Sequence, residues 1–223
     1  MKNIFLLAAA GGAGFLYYLT KQVELEFTHT KIPAAIFVYK EHLGSYMLLD
    51  PTFNSIKDDF EYLNSQRYTL AGLFYDHPSQ VKDHKHERSV FGAFVDPADA
   101  KAVKEFLKVH TDYKSINTDE VDAISVTYPY SGYSTFAQLG FKVYHKLYEY
   151  AFKDREFQNS DFVCLMHKYH YLHGDNKTIE VLLPYGKYAK EFMLTTAPEP
   201  LKSQMKGYST EVTYLNALYC AAE

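Results

Sequence analysis

The sequence predicts an α+β protein: tandem β-α-β-β units sharing one mostly antiparallel sheet, helices on one face, preceded by one N-terminal transmembrane helix. Three observations predict it. Residues 3–20 carry no charge. Two short β-rich runs, Ala35-Ile36-Phe37-Val38 and Ala123-Ile124-Ser125-Val126, stand 88 residues apart, and each leads into a glycine–tyrosine turn, with Gly44 and Gly132 at that same spacing. After each turn come apolar residues at helical spacing and then two further β-rich runs.

The N-terminal run, 1–21, is read as a membrane anchor. Eighteen residues at about 1.5 Å each span roughly 27 Å as a helix, close to the apolar thickness of a thin bilayer. Tyr17 and Tyr18 fall where an interfacial aromatic belt sits, and Lys21 flanks them. A cleaved signal peptide beginning at Lys2, with Ala8 and Ala10 at the cleavage site, is the rival reading. The apolar run continues well past those alanines, which favours an uncleaved anchor. Lys21 and Lys31 follow the helix and only Lys2 precedes it, a bias toward a cytosolic domain.

The domain is expected over 22–190, followed by a tail over 191–223. In the first unit, about 31–96, Asp50-Pro51 is a good helix entry. Phe53, Ile56, Phe60 and Leu63 form its apolar stripe, and strands over 68–75 and 89–95 flank a polar loop. A linker helix over 97–110 turns Val103, Phe106 and Leu107 inward. In the second unit, about 113–187, Ser134 is the expected cap of a helix whose stripe is Phe136, Leu139, Gly140, Val143, Leu147, Tyr150 and Ala151. Strands over 162–172 and 178–183 follow, joined by the turn His173-Gly174-Asp175-Asn176. In the tail, Ala197-Pro198-Glu199-Pro200 reads as extended, ahead of an apolar end at 214–220.

Composition narrows the function classes. The net charge is -4, and the densest basic stretch, 82–88, is diluted by Asp83 and Glu87, so nucleic-acid binding is not expected. Two cysteines, Cys164 and Cys220, are too few for a disulfide framework and fit a reducing compartment. The chain has 21 Tyr, 16 Phe and no Trp, a bias that suits half-buried strand faces and groove walls.

The order of the elements and three motifs carry a resemblance. The motifs are Val38-Tyr39-Lys40-Glu41-His42-Leu43-Gly44-Ser45-Tyr46, Gly72-Leu73-Phe74-Tyr75-Asp76-His77-Pro78 and Val126-Thr127-Tyr128-Pro129-Tyr130. They resemble the GyrI-like (SHS2-type) domain superfamily, and within it the membrane-anchored reticulophagy receptors of the testis-expressed protein 264 family. The likeness covers roughly residues 1–187. It implies a single-pass endoplasmic-reticulum protein, its domain in the cytosol, acting as an adaptor that binds protein partners. Those receptors carry a long acidic tail with a motif for autophagy modifiers; this sequence does not. Its match to the motif, Asp58-Asp59-Phe60-Glu61-Tyr62-Leu63, places Phe60 and Leu63 on a core stripe.

Bacterial GyrI-like relatives bind small cationic or aromatic ligands, and some hydrolyse strained cytotoxins, using a buried glutamate on the third strand of the second unit. The matching position here falls on Tyr169 or His170, so the acid is missing and no enzyme is expected. The resemblance therefore implies, as the alternative function, a small-molecule binder or weak hydrolase. Tyr39, Tyr75, Tyr128 and Tyr130 lie on or near the strands that border the seam between units, where an aromatic wall would hold a ligand by stacking and cation–π contact. With Tyr169 and His170 they are the candidate ligand-binding residues. Glu180, on the next strand, could substitute for the missing acid in principle, and beside Ile179 and Val181 it fits an outward polar strand position equally well. Cys164, His167, His170 and His173 alternate faces on a strand and do not converge on a metal. Asp76, His77, Asp83, His84 and His86 fall in a loop and read as solvated surface. No metal and no cofactor is expected.

Overall fold

A computed structural model describes residues 24–46, 50–61, 63, 68–76, 81, 83–131, 134–170 and 177–195. The expected anchor, the turns at 132–133 and 173–176, and the tail beyond 195 lie outside the described residues. Among the described residues no helix is long and apolar enough to cross a membrane.

The first unit runs β2 (Ala35–Leu43), α1 (Asp50–Glu61), β3 (Tyr68–Phe74) and β4 (Arg88–Val95), after a leading strand β1 (Phe27–Ile32). Next come α2 (Ala100–Val109), entered through a 3-10 turn at Pro97–Asp99, and β5 (Lys114–Thr118). The second unit opens with β6 (Val121–Pro129). It continues through α3 (Ser134–Gln138), a π-helical turn (Leu139–Tyr144), α4 (His145–Ala151) and α5 (Arg155–Asn159) to β7 (Leu165–Tyr169) and β8 (Thr178–Tyr185). A 3-10 turn at Lys187–Phe192 follows.

Among the described residues the strands form one eight-stranded antiparallel sheet in the order β1-β6-β8-β7-β3-β4-β2-β5. Its registers repeat at the spacing seen in the sequence. Val38 pairs with Ala93 and Val126 with Val181, both partners 88 residues on. The outermost strands are exchanged between units: Thr30 of β1 pairs with Ala123 of β6, and Thr118 of β5 pairs with Ala35 of β2. The two units meet where β3 and β7 pair, Gly72 opposite His167 and Leu70 opposite Tyr169. That seam is the axis of the repeat.

The edge strands β1 and β5 are absent from the sequence-based reading. Their residues, Phe-Thr-His-Thr-Lys-Ile and Lys-Ser-Ile-Asn-Thr, are mostly polar and exposed. An edge strand needs few apolar residues, and its charges discourage pairing with another chain.

Both faces of the sheet are buried. On one face Ile56, Phe60 and Leu63 of the first unit, Val103 and Phe106 of α2, and Leu139, Val143, Leu147 and Ala151 of the second unit pack in one core. The expected stripe at 136–151 is corrected at Gly140, which is exposed. The buried residues recur every four positions. On a regular α-helix that spacing drifts by about 40° per step, and the wider π turn takes up part of the drift. On the reverse face Phe37, Tyr39, Leu73, Tyr75 and Met166 pack under Val163, Cys164, Ala189 and Phe192. Among the described residues the α-helices therefore cover one face, and the segment 187–194, with its 3-10 turn, covers part of the other. The packed body thus runs a few residues past 190.

Gly92 is where β4 lies against β2: a Cβ there would stand 1.9 Å from the Val38 carbonyl oxygen. At Gly72 a Cβ would stand 2.7 Å from the Phe91 ring and 3.2 Å from the Tyr169 hydroxyl. That glycine lets two aromatic side chains cross the floor of the seam.

Candidate functional site

Strand alternation decides which side chains face the helices at the seam. On β3 they are Leu70, Gly72 and Phe74; on β7 they are Leu165, His167 and Tyr169. Phe53 of α1 meets the Tyr169 ring edge-on at 4.7 Å. Tyr46, at the turn after β2, meets Phe74 edge-on at 5.1 Å. Tyr144, at the end of the π turn, brings its hydroxyl within 3.1 Å of His167 Nε2. Phe74 lies 4.7 Å from the His167 ring and Tyr169 6.1 Å from it. Aromatic groups from both units thus surround one imidazole. His167, Tyr169 and Phe74 form a buried floor, while Tyr46, Phe53 and Tyr144 are half-buried above it.

His167 is 1% exposed, and burial lowers its pKa to about 3. It is therefore neutral at physiological pH. Burial pushes the Tyr144 hydroxyl up, so it stays protonated. His167 Nδ1 is buried without a hydrogen-bond partner, which is uncommon in a folded protein.

A charged network fixes the first-unit side of the seam. The Tyr46 hydroxyl donates to the Arg88 carbonyl at 2.6 Å and accepts from the Asp76 amide at 3.1 Å. Burial pushes this phenol up as well. Arg88 grips the Asp76 carboxylate through Nε, at 2.9 Å, and through Nη2. Glu87, 2% exposed, accepts from the Tyr46 amide at 2.6 Å and lies 2.6 Å from His84 Nδ1. Both acids are engaged by neighbours. Asp76 and His84, read from sequence as solvated loop, instead build this support.

The six candidate ligand-binding residues do not share one wall. Tyr169 is on the seam floor. Tyr128 is on the helix face, where its hydroxyl donates to Gln138 Oε1. Tyr130 lies on that face too, with its ring edge-on to Phe136 at 6.3 Å. Tyr39 and Tyr75 are on the reverse face, Tyr39 stacked on Phe37 at 5.6 Å and Tyr75 donating to the Phe192 carbonyl at 2.7 Å. His170 is exposed, one residue out of phase with the seam floor, and its Nε2 lies 3.2 Å from Glu180. Burial alone would raise the Glu180 carboxyl, but His170 and Lys168 outweigh it and hold it low. The expectation that Glu180 is an outward polar group is corrected to a half-buried one whose carboxylate contacts His170 Nε2.

Cys164 packs in the reverse-face core while His167 faces the helices. Among the described residues no three His, Cys, Asp or Glu side chains are placed to hold a metal ion. Tyr46, Phe53, Phe74, Tyr144 and His167 are absent from the sequence-based site. Two of them carried a signal. His167 stands two residues from Tyr169, hence on its face, and Tyr46 belongs to the repeated glycine–tyrosine turn.

No family model matches the chain, and no curated protein matches it. Solved structures do. A conserved protein from Listeria innocua shares 8% identity at TM-score 0.44, over 72% of this chain and 92% of that one. The EcmrR C-terminal domain shares 10% at TM-score 0.45, over 74% and 99%. SAV2435, solved bound to tetraphenylphosphonium, shares 12% at TM-score 0.43, over 75% and 97%. At such scores these likenesses carry no argument about function. The class is set by the chain's own architecture: a two-unit α+β domain with an aromatic seam at its internal axis.

Proposed function

We propose that the chain is a small-molecule-binding domain that takes an aromatic or apolar ligand at the seam between its two units. One observation carries this reading: aromatic side chains from both units converge on a single buried imidazole that keeps one nitrogen unpartnered. Apolar sites with a few placed polar groups are the usual form of ligand pockets. The role is binding rather than catalysis, because the acids beside Tyr46 are held by Arg88, His84 and backbone amides.

The test is a thermal-shift and calorimetric screen of the full chain with lipophilic aromatic probes. A seam ligand loses about tenfold or more in affinity on Phe53→Ala or Tyr169→Ala, in line with the loss of one buried aromatic contact. Tyr39→Ala on the reverse face leaves affinity unchanged. Equal losses at all three positions, or no stabilised probe, would sink the reading.

The uncharged run at 3–20 supports a separate proposal, that the chain is held in a membrane; the resemblance noted above would make it the endoplasmic-reticulum membrane, with the domain in the cytosol as an adaptor. Membrane fractionation and protease protection of the full chain test it; release by carbonate washing, or protection of the domain inside the vesicle, would overturn it. The modifier-type motif at 58–63 does not support an autophagy role, since Phe60 and Leu63 are 0% and 4% exposed.

A further inference from the structure

We infer that the seam selects an uncharged ligand carrying a carbonyl-type acceptor, and that His167 Nδ1–H, set by Tyr144, is the donor that recognises it. This deepens the reading proposed above and rests on it.

Tyr144 and His167 are paired through the phenol hydroxyl and Nε2. A phenol is the better donor and the bare nitrogen of a neutral imidazole the better acceptor. The Tyr144 hydroxyl therefore donates to Nε2 across 3.1 Å, and the ring proton resides on Nδ1. The hydrogen bond at one ring nitrogen thus fixes what the other can do. Nδ1 is then a buried donor with no partner. A buried donor left unmade costs more than a typical bond gains, so a ligand that supplies an acceptor removes that cost, whereas a hydrocarbon of the same shape does not.

Charge argues against a cation. The seam floor offers Phe74, His167 and Tyr169, none of them anionic. The two buried acids on the first-unit side already accept from Tyr46, Arg88 and His84. Ring faces attract a cation, but the Nδ1 donor hydrogen repels it, and with both nearby acids already engaged its desolvation is not offset by a carboxylate.

Three probes test this in the full chain: acetylnaphthalene, the isosteric hydrocarbon isopropenylnaphthalene, and tetraphenylphosphonium. The ketone is expected to bind about tenfold tighter than the hydrocarbon, and the cation weakest. In His167→Phe the ketone loses its advantage over the hydrocarbon, whatever the change in affinity common to both. In Tyr144→Phe, a positioning change, the gap between ketone and hydrocarbon narrows. In the wild-type chain, nitrogen NMR of His167 is expected to show a protonated Nδ1 whose shift moves on adding the ketone, a readout that needs no variant. Equal binding of ketone and hydrocarbon, a gap that survives His167→Phe, a protonated Nε2, or preference for the cation would each overturn the inference while leaving the seam as a site. Loss of all binding sensitivity to Phe53→Ala and Tyr169→Ala would instead overturn the seam itself.

Discussion

His167 is uncharged at the centre of the sheet because its ring has exchanged water for Phe74, Tyr144 and Tyr169. Its folded pKa, lowered from 6.5 to about 3, makes it a source of acid sensitivity. Between those values the unfolded chain binds a proton that the folded chain does not. Stability is then full above pH 6.5 and falls as pH drops toward 3. In urea unfolding at pH 7 and pH 4, the wild type is expected to lose roughly 3 kcal/mol more than His167→Phe loses over the same interval. An identical pH dependence in the two would contradict a buried neutral imidazole. The Asp76–Arg88 pair makes a second residue-scale case. Their side chains are 6% and 17% exposed, so neither is well hydrated alone. Asp76→Ala is expected to cost about 3 kcal/mol by stranding a largely buried guanidinium. Adding Arg88→Met to it should recover part of that loss, as measured by the urea midpoint. An Asp76→Ala variant of wild-type stability would show that the guanidinium finds water instead.

At the scale of the element, close strand packing sets the tolerance to change. Gly92 is required because β4 passes so near the backbone of β2 that the Val38 oxygen occupies the place of a side chain. Gly92→Ala is expected to cost about 3 kcal/mol or more, since the nearest atoms are backbone and do not rotate away. Ser115→Ala, on the exposed strand β5, should stay within about 0.5 kcal/mol. Thermal unfolding of the two variants checks this; near-equal melting temperatures would mean that β4 shifts freely. The helices show how far local pattern reaches. The stripe Ile56, Phe60 and Leu63 announced α1, and Val103 and Phe106 announced α2, because a 3.6-residue period with apolar side chains has one cheap solution. The π turn was not announced. It depends on how Leu139, Val143 and Leu147 seat on a sheet surface that the sequence does not display, and it is the feature that delivers Tyr144 to His167.

For the molecule as a whole, the reverse face of the sheet depends on the segment after β8. Phe192 is fully buried against Phe94, and its carbonyl accepts from Tyr75. A chain ended after Gly186 should expose that face, bind a hydrophobic dye and aggregate, while one ended after Thr195 should not. Equal dye binding by the two would show that 187–195 is not the cover. The sequence by itself determined the duplication, the two central helices and the α+β class, because the spacing of 88 and the periodicity of apolar residues are local properties written along the chain. It left undecided which aromatic side chains share a wall. Tyr39, Tyr75 and Tyr169 are equally plausible in a list, yet the first two lie on the opposite face from the third. Only the tertiary structure chose, because face and partner depend on strand register, and register is fixed by pairings between residues as distant as Gly72 and His167.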